Sequence, residues 1–371
     1  MPRRPPARSE DALARAVLDR WLGVRRGETV TVESWSHALP WARALVVEAR
    51  RRGARPSLLV EDEPAFFRSL EALGGGPAAA FASPRPTPGG VRIYLDGPEE
   101  FPRLLGLPPP DRERVLVRHD RGWWSAARRG GVRAVRVAIG DATATAAARF
   151  GVDRAAWESE LLRASLVDPR RLEASARPLL RRLARARRLR VRHPNGTDLT
   201  IERAARAPYA DTGRPDPARG TVWGRVPSGI VVVPLRRGAT EGLWETNRPA
   251  YDRFAAPPVA LGGRFVLRAG RLREFSFDRG GGPFAAAFAR SGPGTVRATA
   301  LTIGLNPAIS FAPESQGLGA GTLGLFLRDG GLRRDADRPR FAVLAALTGA
   351  SVEVDGRPWL LPGDSAERPD R

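Results

Sequence analysis

The periodicity of the chain changes near Leu189, and that switch limits the folds open to it. Upstream, segments with apolar residues at helical spacing alternate with short β-branched runs, the pattern of βαβ units. Asp11 to Leu22 carries Leu13, Val17, Leu18 and Trp21 on one stripe, and Thr29 to Val32 follows as a strand. Leu39 to Arg52 repeats the helical pattern, with Gly53 at the position where a helix turns left-handed to stop. Strand Ser57 to Val60 and helix Pro64 to Leu73 come next, then a Gly/Pro/Ala loop from Gly74 to Gly90. Val91 to Leu95, Arg114 to Val117 and Val135 to Ile139 read as strands, and Asp153 to Leu166 and Pro169 to Leu183 as helices. Short β-rich runs separated by helices predict a parallel sheet covered on both faces.

Downstream the signals are those of hairpins. Asn195-Gly196 separates Leu189–Arg192 from Thr197–Ile201, Ala269-Gly270 separates Gly263–Leu267 from Arg271–Phe277, and Asp355-Gly356 separates Val352–Val354 from Arg357–Leu361. Pro283 to Arg290 is the one helix expected there. The sequence therefore predicts an α/β N-terminal domain with a parallel sheet over residues 1–185. An α+β, mainly antiparallel C-terminal domain is expected over residues 186–371.

Composition narrows the chemistry. There is no cysteine, and the last histidine is His193, so the residues from Pro194 to Arg371 offer neither thiolate nor imidazole to a transition metal. Without cysteine, a reducing and cytoplasmic setting is expected. Neither a secretory leader nor an apolar run of membrane-spanning length is apparent. The net charge of +21 comes from arginine alone, since none of the 61 basic residues is lysine. Such a charge attracts polyanions. The abundance of Ala, Gly and Pro, all encoded by GC-rich codons like arginine, supplies a cause without a ligand, and nucleic acid is disfavoured as a partner. The densest run, Arg181 to Arg192, has no aromatic residues interleaved for base stacking and reads as a solvated helix face entering a strand.

Several short segments, taken in order, carry more. They are Leu22 to Val30 (LGVRRGETV), Ala42 to Arg55 (ARALVVEARRRGAR), Asn195 to Thr200 (NGTDLT), Ile303 to Pro307 (IGLNP) and Val352 to Arg357 (VEVDGR). Together they resemble the aminopeptidase T/aminopeptidase S family of metallo-aminopeptidases, first known from thermophiles. The likeness spans about residues 10 to 360 as scattered motifs. It implies an α/β domain, a second domain holding a pair of co-catalytic metal ions, and a homodimer enclosing the site.

A two-metal centre needs shared carboxylates and terminal His or Asp ligands around an activated water. Matched motif by motif, those positions are substituted. The Pro-x-Gly-Glu segment resembles Pro227 to Ile230, with Ile230 in place of the glutamate; the next glutamate becomes Ala300; and Gly-Thr-x-His resembles Gly321 to Gly324, with Gly324 in place of histidine. A further acidic position falls at Gly317, and the late His-x-Asp at Arg340 and Ala342. An arginine in that shell opposes a cation.

The expectation is a homologue without metal-dependent peptidase activity and without a cofactor, which binds a peptide or small-molecule ligand or serves as a partner subunit. A second reading is an active aminopeptidase whose divalent pair, zinc, cobalt or manganese, sits on rearranged carboxylates. A third is arginine-mediated nucleic-acid binding. Glu241, Glu245, Asn306, Glu314 and Arg340 are the polar groups expected around a residual pocket, where the oxygen ligands would also suit Mg²⁺. Glu241 and Glu245 read equally as surface-loop residues, Glu314 as a turn cap and Asn306-Pro307 as a turn. Gly319 to Gly324 matches G-x-G-x-x-G but runs into the apolar segment Leu323 to Leu327 instead of opening a helix, against dinucleotide binding. His37, at a strand-to-helix junction, and His119, beside Asp120, are candidates for the edge of a core or of a ligand site. Trp123-Trp124 reads as a pair buried between helix and sheet.

Overall fold

The computed structural model describes residues 9–72, 85–95, 97–100, 103, 121–252, 258–292, 294–329, 341–359 and 361. Two compact units are present: Met1–Pro169 with Thr212–Ser228, and Arg170–Asp211 with Gly229–Arg371. This differs from a single division after residue 185. The helix Pro169–Arg185 is assigned almost wholly to the second unit, and the chain revisits the first at Thr212. Among the described residues, no helix is long and apolar enough to cross a membrane.

The first unit is built on a parallel sheet. Its strands are β1 (Thr29–Trp35), β2 (Arg55–Glu61), β3 (Val91–Leu95), β4 (Arg133–Val137) and, after the excursion, β8 (Trp223–Val226). Their order is β2-β1-β3-β4-β8, all parallel. Helices α1 (Ser9–Arg15), α2 (Leu39–Arg51), α3 (Glu63–Ala72), α4 (Arg121–Arg129), α5 (Ala144–Phe150) and α6 (Arg154–Leu166) connect and cover it. α1 runs on as a wider π turn to Trp21, where the Leu22 N–H donates to the Val17 carbonyl at 3.0 Å. This keeps Leu13, Val17, Leu18 and Trp21 at 1% exposure or less, the stripe expected from their spacing. α6 starts where Asp153 accepts from the Ala156 N–H at 2.7 Å.

Trp123 and Trp124 lie in α4, edge to face at 5.2 Å, and Trp123 packs with Ala127, Val132, Ala134 and Val222. The His37 ring sits just after β1, with Nε2 3.1 Å from the Gly140 carbonyl that follows β4. The strand expected at Arg114–Val117, His119, Asp120 and most of the Gly74–Gly90 loop lie outside the described residues.

The second unit opens with α7 (Pro169–Arg185) and centres on one antiparallel sheet of eleven strands. They include β5 (Arg188–Arg192), β6 (Asp198–Arg203), β7 (Tyr209–Asp211) and β9 (Ile230–Glu245). A separate pair, β10 (Ala250–Tyr251) and β11 (Val259–Ala260), forms a two-stranded ribbon. The large sheet continues with β12 (Arg264–Arg268), β13 (Arg271–Ser276), β14 (Val296–Gly304) and β15 (Leu323–Asp329). β16 (Ala342–Leu347), β17 (Ser351–Val354) and β18 (Arg357–Trp359) complete it. The three expected hairpins form as β5–β6, β12–β13 and β17–β18. α8 (Gly282–Ser291) lays Phe284 on Phe277 and Phe288 on Phe275, with ring centroids 5.0 and 5.1 Å apart.

β9 organises the sheet. Its first residues pair with β14 on one side and β7 on the other, while its far half pairs with β6 and β12.

Candidate functional site

In an antiparallel ladder, directly opposed residues project from the same face, and residues two apart along a strand share it. Three neighbouring rows of the second sheet follow from the register. Ile230 lies opposite Gly304; Val232, Thr302, Gly324 and Ala346 form the next row; Pro234, Ala300, Phe326 and Leu344 form the third. The substituted positions Ile230, Ala300 and Gly324 thus share one face, and Ala342, two residues from Leu344, shares it too. The reverse face is core: Val231, Val233, Leu301, Ile303, Leu323, Leu325 and Leu327 are all at 0% exposure. The first face is partly open, with Ile230, Phe326 and Leu344 half-buried and Ala342 exposed.

Gly317 reaches this face from the single 3₁₀ turn Gln316–Leu318. A β-carbon on Gly317 would lie 2.5 Å from Leu344 Cδ2, and one on Gly324 would lie 2.6 Å from Leu344 Cδ1 and still closer to Thr302 Oγ1. The Leu344 side chain therefore occupies the space into which ligands at both positions would project. The Thr302 hydroxyl donates to the Gly324 carbonyl at 3.3 Å. Tyr209 stands opposite Val232 and Asp211 opposite Ile230, adding a phenol and a carboxylate at the β7 edge. The arrangement is a hydrocarbon floor with a few polar groups at its margin, the composition of a small-molecule surface.

A divalent pair does not fit this donor set. Aliphatic groups or bare backbone stand at Ile230, Ala300, Gly317 and Gly324, and among the described residues no group of three or more His, Cys, Asp or Glu is placed to hold a metal ion.

The remaining candidates separate. Asn306 is fully buried beside the Ile230 end of the face; its N–H donates to the Leu318 carbonyl at 2.8 Å, and its Oδ1 accepts from the Ala308 N–H at 3.1 Å, closing the expected turn. Glu314 occupies a turn in the loop leading to Gly317, with φ 58°. Glu241 and Glu245 both lie in the far half of β9, beyond the residues that pair with β14. Glu241 accepts from the Ala269 N–H of the β12–β13 turn, and Glu245 pairs with Arg264 at 3.4 Å. Arg340 lies outside the described residues. In the Gly319 to Gly324 run, Gly324 is already inside β15, so no helix follows the motif.

Sequence reasoning missed Leu344, Thr302, Tyr209 and Asp211. Their meeting depends on strand register, and no motif announces it.

No family model matches the chain, and no curated protein matches its sequence. Solved structures do. AmpT of Thermus thermophilus, an aminopeptidase T, is similar with a TM-score of 0.67 at 17% identity, covering 97% of this chain and 99% of that one. The 2,5-dihydroxypyridine dioxygenase of Pseudomonas putida KT2440 is similar with a TM-score of 0.58 at 14% identity, covering 98% of this chain and 99% of that one. One frame thus carries two proteins named for unrelated reactions, as expected when function resides in the site and not in the fold. The chain has an aminopeptidase-like fold of two domains, one on a parallel and one on a large antiparallel sheet.

Proposed function

We propose that this chain keeps the aminopeptidase-like frame without a metal-dependent peptidase centre, and that it binds a small ligand on the face of the second sheet bearing Ile230, Ala300 and Gly324. The observation that carries the reading is the Leu344 side chain, packed where side chains on Gly317 and Gly324 would start. Hydrolysis by two metals needs both ions held close together by carboxylate and imidazole. Five of the six positions matched to that role, Ile230, Ala300, Gly317, Gly324 and Ala342, offer no side-chain donor, and the carboxylates of Glu241 and Glu245 are engaged in the far half of β9. What remains, apolar floor with a hydroxyl, a phenol and a carboxylate near its edge, suits recognition better than proton transfer.

The test is a metal titration of the purified chain with zinc, cobalt or manganese, read with a panel of aminoacyl chromogenic substrates and by elemental analysis after dialysis. No metal-stimulated turnover and no retained stoichiometric pair are expected. Turnover that rises with metal and disappears with a chelator would sink the reading.

A further inference from the structure

The next row on the same face consists of arginines. Arg271 at the start of β13 lies opposite Arg297 of β14, which lies opposite Arg328 of β15. Like charges directly opposed across a ladder repel. With Arg268, which stands opposite Arg271 across the β12–β13 turn, four stand in a line, and among the described residues no carboxylate pairs with any of them. Their conformations are nonetheless supported. The Arg328 guanidinium lies 6.0 Å from the centroid of the Phe326 ring, and its Nε is buried without a hydrogen-bond partner. Arg271 Nη1 rests against the turn at Gly294, where a β-carbon would come within 2.9 Å of it. The Arg297 guanidinium is held below the ordinary arginine range, first by burial and then by the charges of Arg271 and Arg237. Arg237 is exposed and precedes Gly238, whose backbone nitrogen lies 3.0 Å from where a β-carbon on Gly270, the residue before Arg271, would stand.

We propose that Arg271, Arg297 and Arg328, flanked by Arg237, form a binding site for the oxyanion groups, phosphate or carboxylate, of a small multivalent ligand. The inference deepens the ligand-binding part of the reading above and rests on it. Guanidinium forks present parallel N–H pairs that match two oxygens of a phosphate or carboxylate, and an oxyanion cancels the repulsion the row otherwise carries. The stretch from Arg271 to Arg328 spans two interstrand spacings, about 10 Å, and the row with Arg268 about 14 Å, the reach of one compact polyanion and short for tracking a nucleic-acid strand. Phe326, the aromatic group of the neighbouring row, is already engaged by Arg328, which leaves no free ring there for stacking a base.

Metal-free full-length protein would be titrated calorimetrically with inorganic pyrophosphate and, separately, with citrate, at about 0.15 M salt. Saturable binding of at least one is expected, and the stronger arm identifies phosphate or carboxylate as the natural group. Arg297→Gln and Arg328→Gln should each weaken it by about tenfold or more. Arg237→Gln, at an exposed position, should weaken it less and guards against misfolding of the others. The melting temperature separates binding from structure. Without anion the variants should melt no lower than the unmodified chain, and only the unmodified chain should gain a large increment when the anion is added. The proposal fails if neither anion saturates below about 1 mM, if the Arg297→Gln/Arg328→Gln double variant binds as tightly as the unmodified chain, or if a single-stranded oligonucleotide binds where both small anions do not. Because these titrations use neither metal nor peptide, peptidase turnover with anion binding intact would overturn only the earlier reading.

Discussion

Leu344 stands where a side chain on Gly324 would begin: a β-carbon there would be 2.6 Å from Leu344 Cδ1. Gly324→Ala should therefore cost about 1–3 kcal/mol, the usual penalty for overfilling a packed site. Because the obstruction includes Leu344, combining Gly324→Ala with Leu344→Ala should cost less than the sum of the single changes by about 1 kcal/mol, as contacting residues do. Urea unfolding of the three variants measures the cycle. Strict additivity would show that Leu344 does not fill the site. For the same reason, Gly324→His alone should not rebuild a metal site.

In the first domain, Glu33 on β1 and Arg92 on β3 form a buried ion pair, with side chains 6% and 5% exposed. Arg92 Nε donates to Glu33 Oε2 at 3.1 Å, Nη2 donates to the same oxygen, and the guanidinium lies over the Trp123 ring. Such a pair contributes little net stability, yet removing one member strands a charge in a low dielectric. Glu33→Gln should destabilise by about 3–5 kcal/mol. The double change Glu33→Leu/Arg92→Met should be milder than either single change, and tryptophan fluorescence during denaturation reports both. A double variant as unstable as the worse single one would contradict this account.

How much of this is legible in the sequence follows from how far each signal travels along the chain. Asn195-Gly196, Ala269-Gly270 and Asp355-Gly356 announce their hairpins because a two-residue turn is specified locally. α5 escapes a reading of the sequence although both its ends are marked: Thr143 accepts from the Ala146 N–H at 3.1 Å, and Gly151 takes the left-handed position after it. Its seven residues, mostly alanine, carry too little periodicity to stand out. β8 is hidden for another reason. Four residues amid Pro and Gly gain strand character only by docking beside β4, a partner far upstream. At the site, the substitutions at Ile230, Ala300 and Gly324 can be read from motif likeness. The Leu344 plug and the Arg271–Arg297–Arg328 row cannot, because register across separate strands decides which side chains become neighbours.

Asp198, which stands opposite Arg192 in the first hairpin, reaches diagonally to Arg190 and accepts two hydrogen bonds from it, of 2.8 and 2.6 Å. The bond to Arg190 leads in holding the Asp198 carboxyl below the usual aspartate range, aided by the charges of Arg190 and Arg192 and opposed by slight burial. A carboxyl depressed on folding stabilises the fold above its unfolded pKa, and that contribution disappears as pH falls through the folded value. Asp198→Asn should consequently lower the urea midpoint slightly at neutral pH, and the gap should close once the solution is acidified below the ordinary aspartate range. Since both groups are largely solvent-exposed, added salt should shrink the gap as well. A gap that stays constant from neutral to strongly acidic pH would show that the carboxylate's charge is not involved.

Gly213 tests whether the excursion Thr212–Ser228 is integral to the first domain. Its φ is +77°, and a β-carbon there would lie 2.6 Å from Ser228 Cβ, 2.8 Å from Trp21 Cζ3, and closer still to the Arg225 carbonyl. Trp21 cannot yield, being 1% exposed with its Nε1 donating to the Ser165 carbonyl at 3.0 Å. Gly213→Ala should then cost about 3 kcal/mol or more, from backbone strain and overpacking together. Gly220 in the same segment supplies the control, since its φ is +72° but nothing lies within 4 Å of the point an alanine methyl would occupy. Gly220→Ala carries the conformational penalty alone and should cost about 1 kcal/mol. Thermal unfolding followed by tryptophan fluorescence distinguishes them. Equal losses at the two glycines would mean that the returning segment does not press against the Trp21 core.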